Sequence, residues 1–131
     1  MIDFSFLGDA IDRAFDRLVA EFEDLQIEQL ETVKWEWYRN TKRQSGQVVS
    51  SPRDIVDTGK LRDSLNVTDV GDAHVRYEYQ EDYAGLVHQG FDGVGKAGQP
   101  ESYPARPWVT TTVDENDLLA IFCGYLAEEL G

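Results

Sequence analysis

The chain predicts an α+β fold, on three observations. Near the start, Leu7, Ile11, Phe15, Leu18, Phe22 and Leu25 recur at spacings of three and four, the period of one helix face. In the middle, "NVTDV" and "HVRYEYQ" flank "GDA", with Val75, Tyr77 and Tyr79 alternating against His74, Arg76 and Glu78, which is the pattern of a β-hairpin. At the end, Leu118, Ile121, Phe122, Tyr125 and Leu126 return to helical spacing behind the acids of "DEND". The expected architecture is a long N-terminal helix and a C-terminal helix packed on a small, mainly antiparallel sheet that carries a protruding Gly-rich loop. With 131 residues the chain has one domain's worth of sequence, residues 1–131, and needs no disulfide or metal to build a core.

Taken in order, the first stripe slips by one residue after Leu25 and resumes at Leu30, Val33 and Trp37. The helix either breaks near Gln26 to Gln29 or runs on to about Lys42 with a changed face, and one long helix is the expectation. "NTKRQSGQVVSSPR" loses the period and has the composition of a surface loop. "KLRDSL" places Leu61 and Leu65 four apart, a helical turn, with Thr58 as its N-cap, Asp57 at its positive end and Gly59 permitting close backbone approach. "DYAGLVHQG" is expected to make a turn or two of helix, and "FDGVGKAGQPESYP" a mobile tongue. "ARPWVTTTV" returns to β-branched residues before the last helix, in which Cys123 reads as a buried small hydrophobe.

Twelve Lys and Arg face 25 Asp and Glu, a formal charge of −13 that disfavours nonspecific nucleic-acid binding. The opening residues lack the positive segment of a signal peptide, and no apolar run approaches the roughly 20 residues that span a bilayer, so a soluble, unprocessed chain with no membrane role is expected. Within this acidic chain Arg39, Lys42, Arg43, Arg53, Lys60 and Arg62 cluster among only three acids, Asp54, Asp57 and Asp63. Such a patch can dock an acidic partner or a phosphate backbone, or simply balance the acidic first helix.

Several motifs invite a chemical reading. Ile55-Val56-Asp57-Thr58-Gly59 matches the local pattern of a retroviral-type aspartic protease, in which one Asp from each of two chains shares a proton. Those enzymes continue into β-structure, whereas "KLRDSL" is helical, so the protease stands only as a reading from another class. Gly90-x-x-x-x-Gly95-Lys96 and Gly93-x-Gly95-x-x-Gly98 mimic phosphate-binding loops, but no helix can start in "GQPESYP" to hold the phosphate. His74 and His88 lack partners at metal-ligand spacing, and no nucleophile–base arrangement is visible. No catalytic residue, metal or cofactor is therefore expected, and the Asn66-Val67-Thr68 sequon has no bearing in a chain without a secretory signal.

Three segments carry a family resemblance in a fixed order: "DTGKLRDSL" with Asp57, Thr58, Gly59 and Leu61; "YAGLVHQG" with Tyr83, Ala84, His88 and Gly90; and "YPARPWV" with Pro104, Ala105, Arg106, Pro107 and Trp108. Together they cover roughly residues 57 to 112, and the chain resembles the tail-completion, or virion-morphogenesis, proteins of long-tailed bacteriophages, a family similar to the minor tail proteins of lambda-like phages. The sequence departs from the family pattern where Gly90 precedes Phe91 rather than following the aromatic, and in its long acidic C-terminal helix.

The resemblance implies a non-enzymatic component of the virion neck, a head–tail connector assembled in the host cytoplasm. It implies a homo-oligomeric ring, commonly of six subunits, stacked on connector, tail-terminator or tail-tube proteins, with DNA passing through unbound. A tail terminator capping the tube is the alternative within the virion. Arg106, Trp108, His88, Arg39, Lys42 and Arg43 are the candidate interface residues. Held between two prolines, Arg106 can bind a carboxylate bidentately on a neighbour, or pair internally with Asp57 or Glu101. The loop from Gly90 to Pro104 is expected to be loosely ordered until it docks.

Overall fold

The computed structural model describes the whole chain except residues 1, 38, 58, 72, 73 and 95–97. Its organising element is helix α1, Ser5–Glu31. Ala10 and Ala14 are fully buried on it, and Val19, Gln26 and Leu30 continue the buried positions toward its end. The helix stops at Glu31 rather than running to Lys42. Thr32 turns to extended backbone (ψ 136°), and Trp35 folds back so that its indole N–H donates to the carbonyl of Gln29 at 2.8 Å. Trp35 then exchanges both backbone hydrogen bonds with Arg53, each 2.8 Å, while Val33 is left 64% exposed. The one-residue slip in the apolar stripe thus marks the point where the chain leaves the helix.

The segment after α1 holds a short hairpin, β1 (Thr41–Lys42) with β2 (Val48–Val49), where a surface loop is expected. Helix α2, Lys60–Asp63, forms where a helical turn is expected, but it ends before Leu65, which pairs in a strand instead. Thr58, its expected cap, lies outside the described residues. Gly59 precedes the helix with φ +89°, a left-handed conformation that glycine adopts without strain. Strands β3 (Leu65–Gly71) and β4 (His74–Tyr79) form the expected hairpin, with Leu65 opposite Tyr79 and Val67 opposite Tyr77. That hairpin packs on α1: the Tyr77 hydroxyl donates to the Val19 carbonyl at 2.6 Å, and Phe22 meets Tyr77 edge-on at 5.0 Å.

Helix α3 is Ala84–Gln89. The Gly-rich segment differs from the expected loose tongue. Phe91–Val94 (β5) and Pro100–Tyr103 (β6) pair antiparallel, and the rings of Phe91 and Tyr103 stack 4.4 Å apart. Among the described residues the sheet structure is therefore three separate two-stranded antiparallel pairs rather than one small sheet.

"WVTTTV" is helical, in α4 (Trp108–Glu115), against the strand preference of its β-branched residues. Two features explain this. Pro107 sits just before the first turn, where its missing N–H is harmless. Thr112, fully buried, satisfies its hydroxyl on the carbonyl of Trp108 at 2.6 Å, one helical turn back. Helix α5, Leu118–Leu130, starts where Asp117 accepts from the Ala120 amide at 3.0 Å and packs against α1 through Arg13–Glu129 and Arg17–Glu128 ion pairs. Cys123 is exposed on α5, not buried, because the face of α5 that meets α1 carries Tyr125, not the thiol. Together these elements form an α+β fold whose buried cluster is Leu30, Trp35, Ile55, Leu61 and Trp108.

Candidate functional site

The three segments 57–65, 83–90 and 103–109 meet at this cluster. Leu61 of the first, Ala84 and Val87 of the second, and Trp108 and Val109 of the third pack together. The Arg106 amide donates to the Val87 carbonyl at 3.0 Å. Gly90 (φ +74°) lies so close to the third segment that a Cβ there would sit 2.6 Å from the Ala105 nitrogen and 2.7 Å from the Tyr103 carbonyl. Pro104 and Ala105 line a shallow surface with Gly90 and Phe91, so the second and third motifs are locked backbone to backbone.

Above the cluster opens a pocket of ≈ 320 Å³, walled by Lys42, Arg43, Arg53, Lys60, Arg62 and Arg106. Trp37, Asp57 and Tyr83 complete its polar and aromatic edge, and Ile55, Leu61 and Val87 form its floor. Half of the twelve basic residues of a strongly acidic chain thus face one cavity. Some of this charge is balanced internally. Arg43 pairs with Asp54, and Arg62 reaches Glu31 at 3.3 Å and Asp63 at 3.2 Å. Arg53 is buried, hydrogen-bonded to the Thr41 hydroxyl and to the Asp54 carbonyl at 3.3 Å. Burial and the neighbouring Arg43 pull its pKa down against the opposing pull of Asp54 and Asp57.

Arg106 is different. The residue is 9% exposed, its Nε is buried without an acceptor, and among the described residues no carboxylate pairs with it. The internal pairs considered from sequence do not form: Asp57 accepts from the Gln44 amide at 3.3 Å, and Glu101 accepts from the Tyr103 hydroxyl and from Gln99. The guanidinium instead rests 4.1 Å from the centroid of the Trp37 ring. Burial, then the like charge of Arg53, pulls it down to about 10, so it remains a cation at neutral pH. A buried guanidinium with free donors beside a second one is an arrangement suited to a two-oxygen anion.

Of the other interface candidates, Lys42 is exposed on the pocket wall, Arg43 is held by Asp54, and Arg39 does not line the pocket. Trp108 is 1% exposed and serves the core, edge-on to Tyr79 and His88 at 5.1 Å each, rather than offering a contact surface. His88 is half-buried against that indole with Nε2 lacking a partner, and burial lowers its pKa. The stacking role of Trp37 has no signal in the sequence, because nothing local connects it to Arg106. Among the described residues no three His, Cys, Asp or Glu side chains are grouped as metal ligands, and no helix is long and apolar enough to cross a membrane. No family model matches the chain, and neither a curated protein nor a solved structure matches it.

Proposed function

We propose that this chain is a structural virion protein of a long-tailed bacteriophage, part of the neck at the head–tail junction, that completes the tail or joins it to the DNA-filled head. The observation that carries the reading is the convergence of the three resembling segments. Separated by up to some forty residues in sequence, they share one buried cluster and frame one pocket, as parts of a single functional unit would. The reading is non-enzymatic: Asp57 leads into helix α2, not into the β-structure that an aspartic protease requires.

In this role the subunit forms a ring, and Arg106 with its basic neighbours contacts an adjacent protein. The charge of −13 suits a ring around a DNA passage, because like-charge repulsion keeps a polyanion from adhering to the wall. Electron microscopy of a lysate from the parent phage with this gene disrupted tests the proposal. Filled heads beside finished, unattached tails are expected. Tails of uncontrolled length would move the assignment to the tail terminator, and normal virions would refute both.

A further inference from the structure

We propose that the pocket between Arg53 and Arg106 is a carboxylate site, and that the carboxylate is presented by a second copy of this chain, from the Asp9, Asp12 and Asp16 stripe of α1. This deepens the ring reading above, on which it rests only for the closure of the assembly, by naming the contact between subunits.

The pocket side of the argument is Arg106. A guanidinium whose Nε is buried, on a residue only 9% exposed, normally has a carboxylate or several carbonyl acceptors, because an uncompensated buried charge is strongly destabilising. Here it has an aromatic face and a neighbouring cation, Arg53, and no hydrogen-bond acceptor among the described residues. The missing partner is an anion. Lys42, Lys60 and Arg62 extend the positive wall outward, so the ligand approaches along a favourable potential.

The occupant follows from charge and position. Six of the twelve bases and one acid, Asp57, line this wall, so the rest of the molecule holds 24 acids against six bases. Asp9, Asp12 and Asp16 lie three and four residues apart, on one face of α1. All three are exposed, and none forms an ion pair among the described residues. The stripe cannot reach its own pocket. Arg62 of the pocket wall contacts Glu31 at the other end of α1, and the fifteen residues from Asp16 to Glu31 span roughly 20 Å of helix. A contact from the front of one subunit to the back of the next is heterologous, the kind that generates rings when its rotation closes. A nucleic-acid backbone fits less well, because the remainder of the surface repels it.

Sedimentation velocity on the purified protein tests this with three variants: Arg106→Met, Lys42→Glu at the exposed rim, and the triple replacement Asp9→Asn, Asp12→Asn, Asp16→Asn. Wild-type protein is expected to self-associate at low salt and to dissociate as salt or inorganic phosphate is added. Each variant should weaken association about tenfold or more. Mixing Arg106→Met with the triple variant should give a dimer and nothing larger, since each supplies one intact half. A wild type that stays monomeric at low salt, or a triple variant that associates like wild type, overturns the proposal. So does binding of a single-stranded oligonucleotide that Arg106→Met abolishes, which assigns the pocket to phosphate. Should Arg106→Met fail to fold by circular dichroism, the two surface variants decide alone. The measurement needs no phage particles, so its failure and that of the neck reading are separable.

Discussion

The guanidinium of Arg106 lies 4.1 Å from the centroid of the Trp37 ring, buried, with no carboxylate beside it among the described residues. Arg53, equally buried, is by contrast held by a hydroxyl and a carbonyl. Two arginines in one pocket therefore differ in what they do for the fold, and mutation should separate them. Arg106→Met removes an uncompensated charge, and we expect stability to stay unchanged or rise by about 1 kcal/mol in denaturant unfolding. Arg53→Met strips partners from the half-buried Thr41 hydroxyl and Asp54 carbonyl and should lose about 1–3 kcal/mol. A large loss for Arg106→Met would show the residue to be structural.

Trp108 joins the third motif to the first two through the buried cluster. Trp108→Ala should cost about 3–5 kcal/mol, enough to threaten folding of a domain this size. Trp108→Phe keeps most of the packing and gives up only the indole N–H beside the Tyr79 hydroxyl, so it should cost far less. Equal losses from the two, measured by urea unfolding, would mean that the ring volume does not decide stability here.

Gly90 is the tightest backbone approach between motifs. Its φ is positive, and a methyl group on its Cα would lie 2.6 Å from the Ala105 nitrogen, which leaves no room for a side chain. Gly90→Ala is expected to destabilise by at least about 2 kcal/mol. Gly98→Ala, also at positive φ but with no neighbour near its Cβ position, should cost less. Thermal unfolding of the pair distinguishes close packing from backbone strain alone.

His88 gives the molecule a pH dependence of defined sign. Burial lowers its pKa below the ordinary 6.5, so the native state binds fewer protons than the unfolded chain in that range. The native advantage is present above pH 6.5 and is lost as pH falls through the lowered value. Thermal unfolding of wild type and His88→Gln from pH 8 to 5 should converge in slope above pH 7 and diverge below it, the wild type falling more steeply. Parallel profiles would place the imidazole in solvent.

Two tyrosines provide a check at the alkaline end. Burial raises Tyr77 and Tyr79 to about 12 each, so both should ionise late in a spectrophotometric titration. Their contribution to stability is complete below pH 10 and is lost as pH rises toward the native value. Phe replacement at either position should remove one late-titrating phenol and flatten that loss.

Periodicity by itself determined that α1, the β3–β4 hairpin and the C-terminal α5 form, because each is written in neighbouring residues: a 3.6 repeat, an alternation of two, or acids before an apolar run. It did not determine which face of α1 is covered, since Leu7 and Ile11 are exposed while Ala10, Ala14 and Gln26 are buried by their tertiary neighbours. Only the tertiary structure decided where α1 ends, since the stop depends on Trp35 returning to bond Gln29 and Arg53. It also decided that β-branched "WVTTTV" is helical, because a buried face against α1 outweighs a strand propensity worth only tenths of a kcal/mol per residue. The candidate site divides the same way. A sequence reader can see the basic cluster and single out Arg106, whose prolines are adjacent to it. That Trp37 lies beneath its guanidinium while Asp57 and Glu101 turn to other partners is a matter of long-range packing, and no local pattern encodes it.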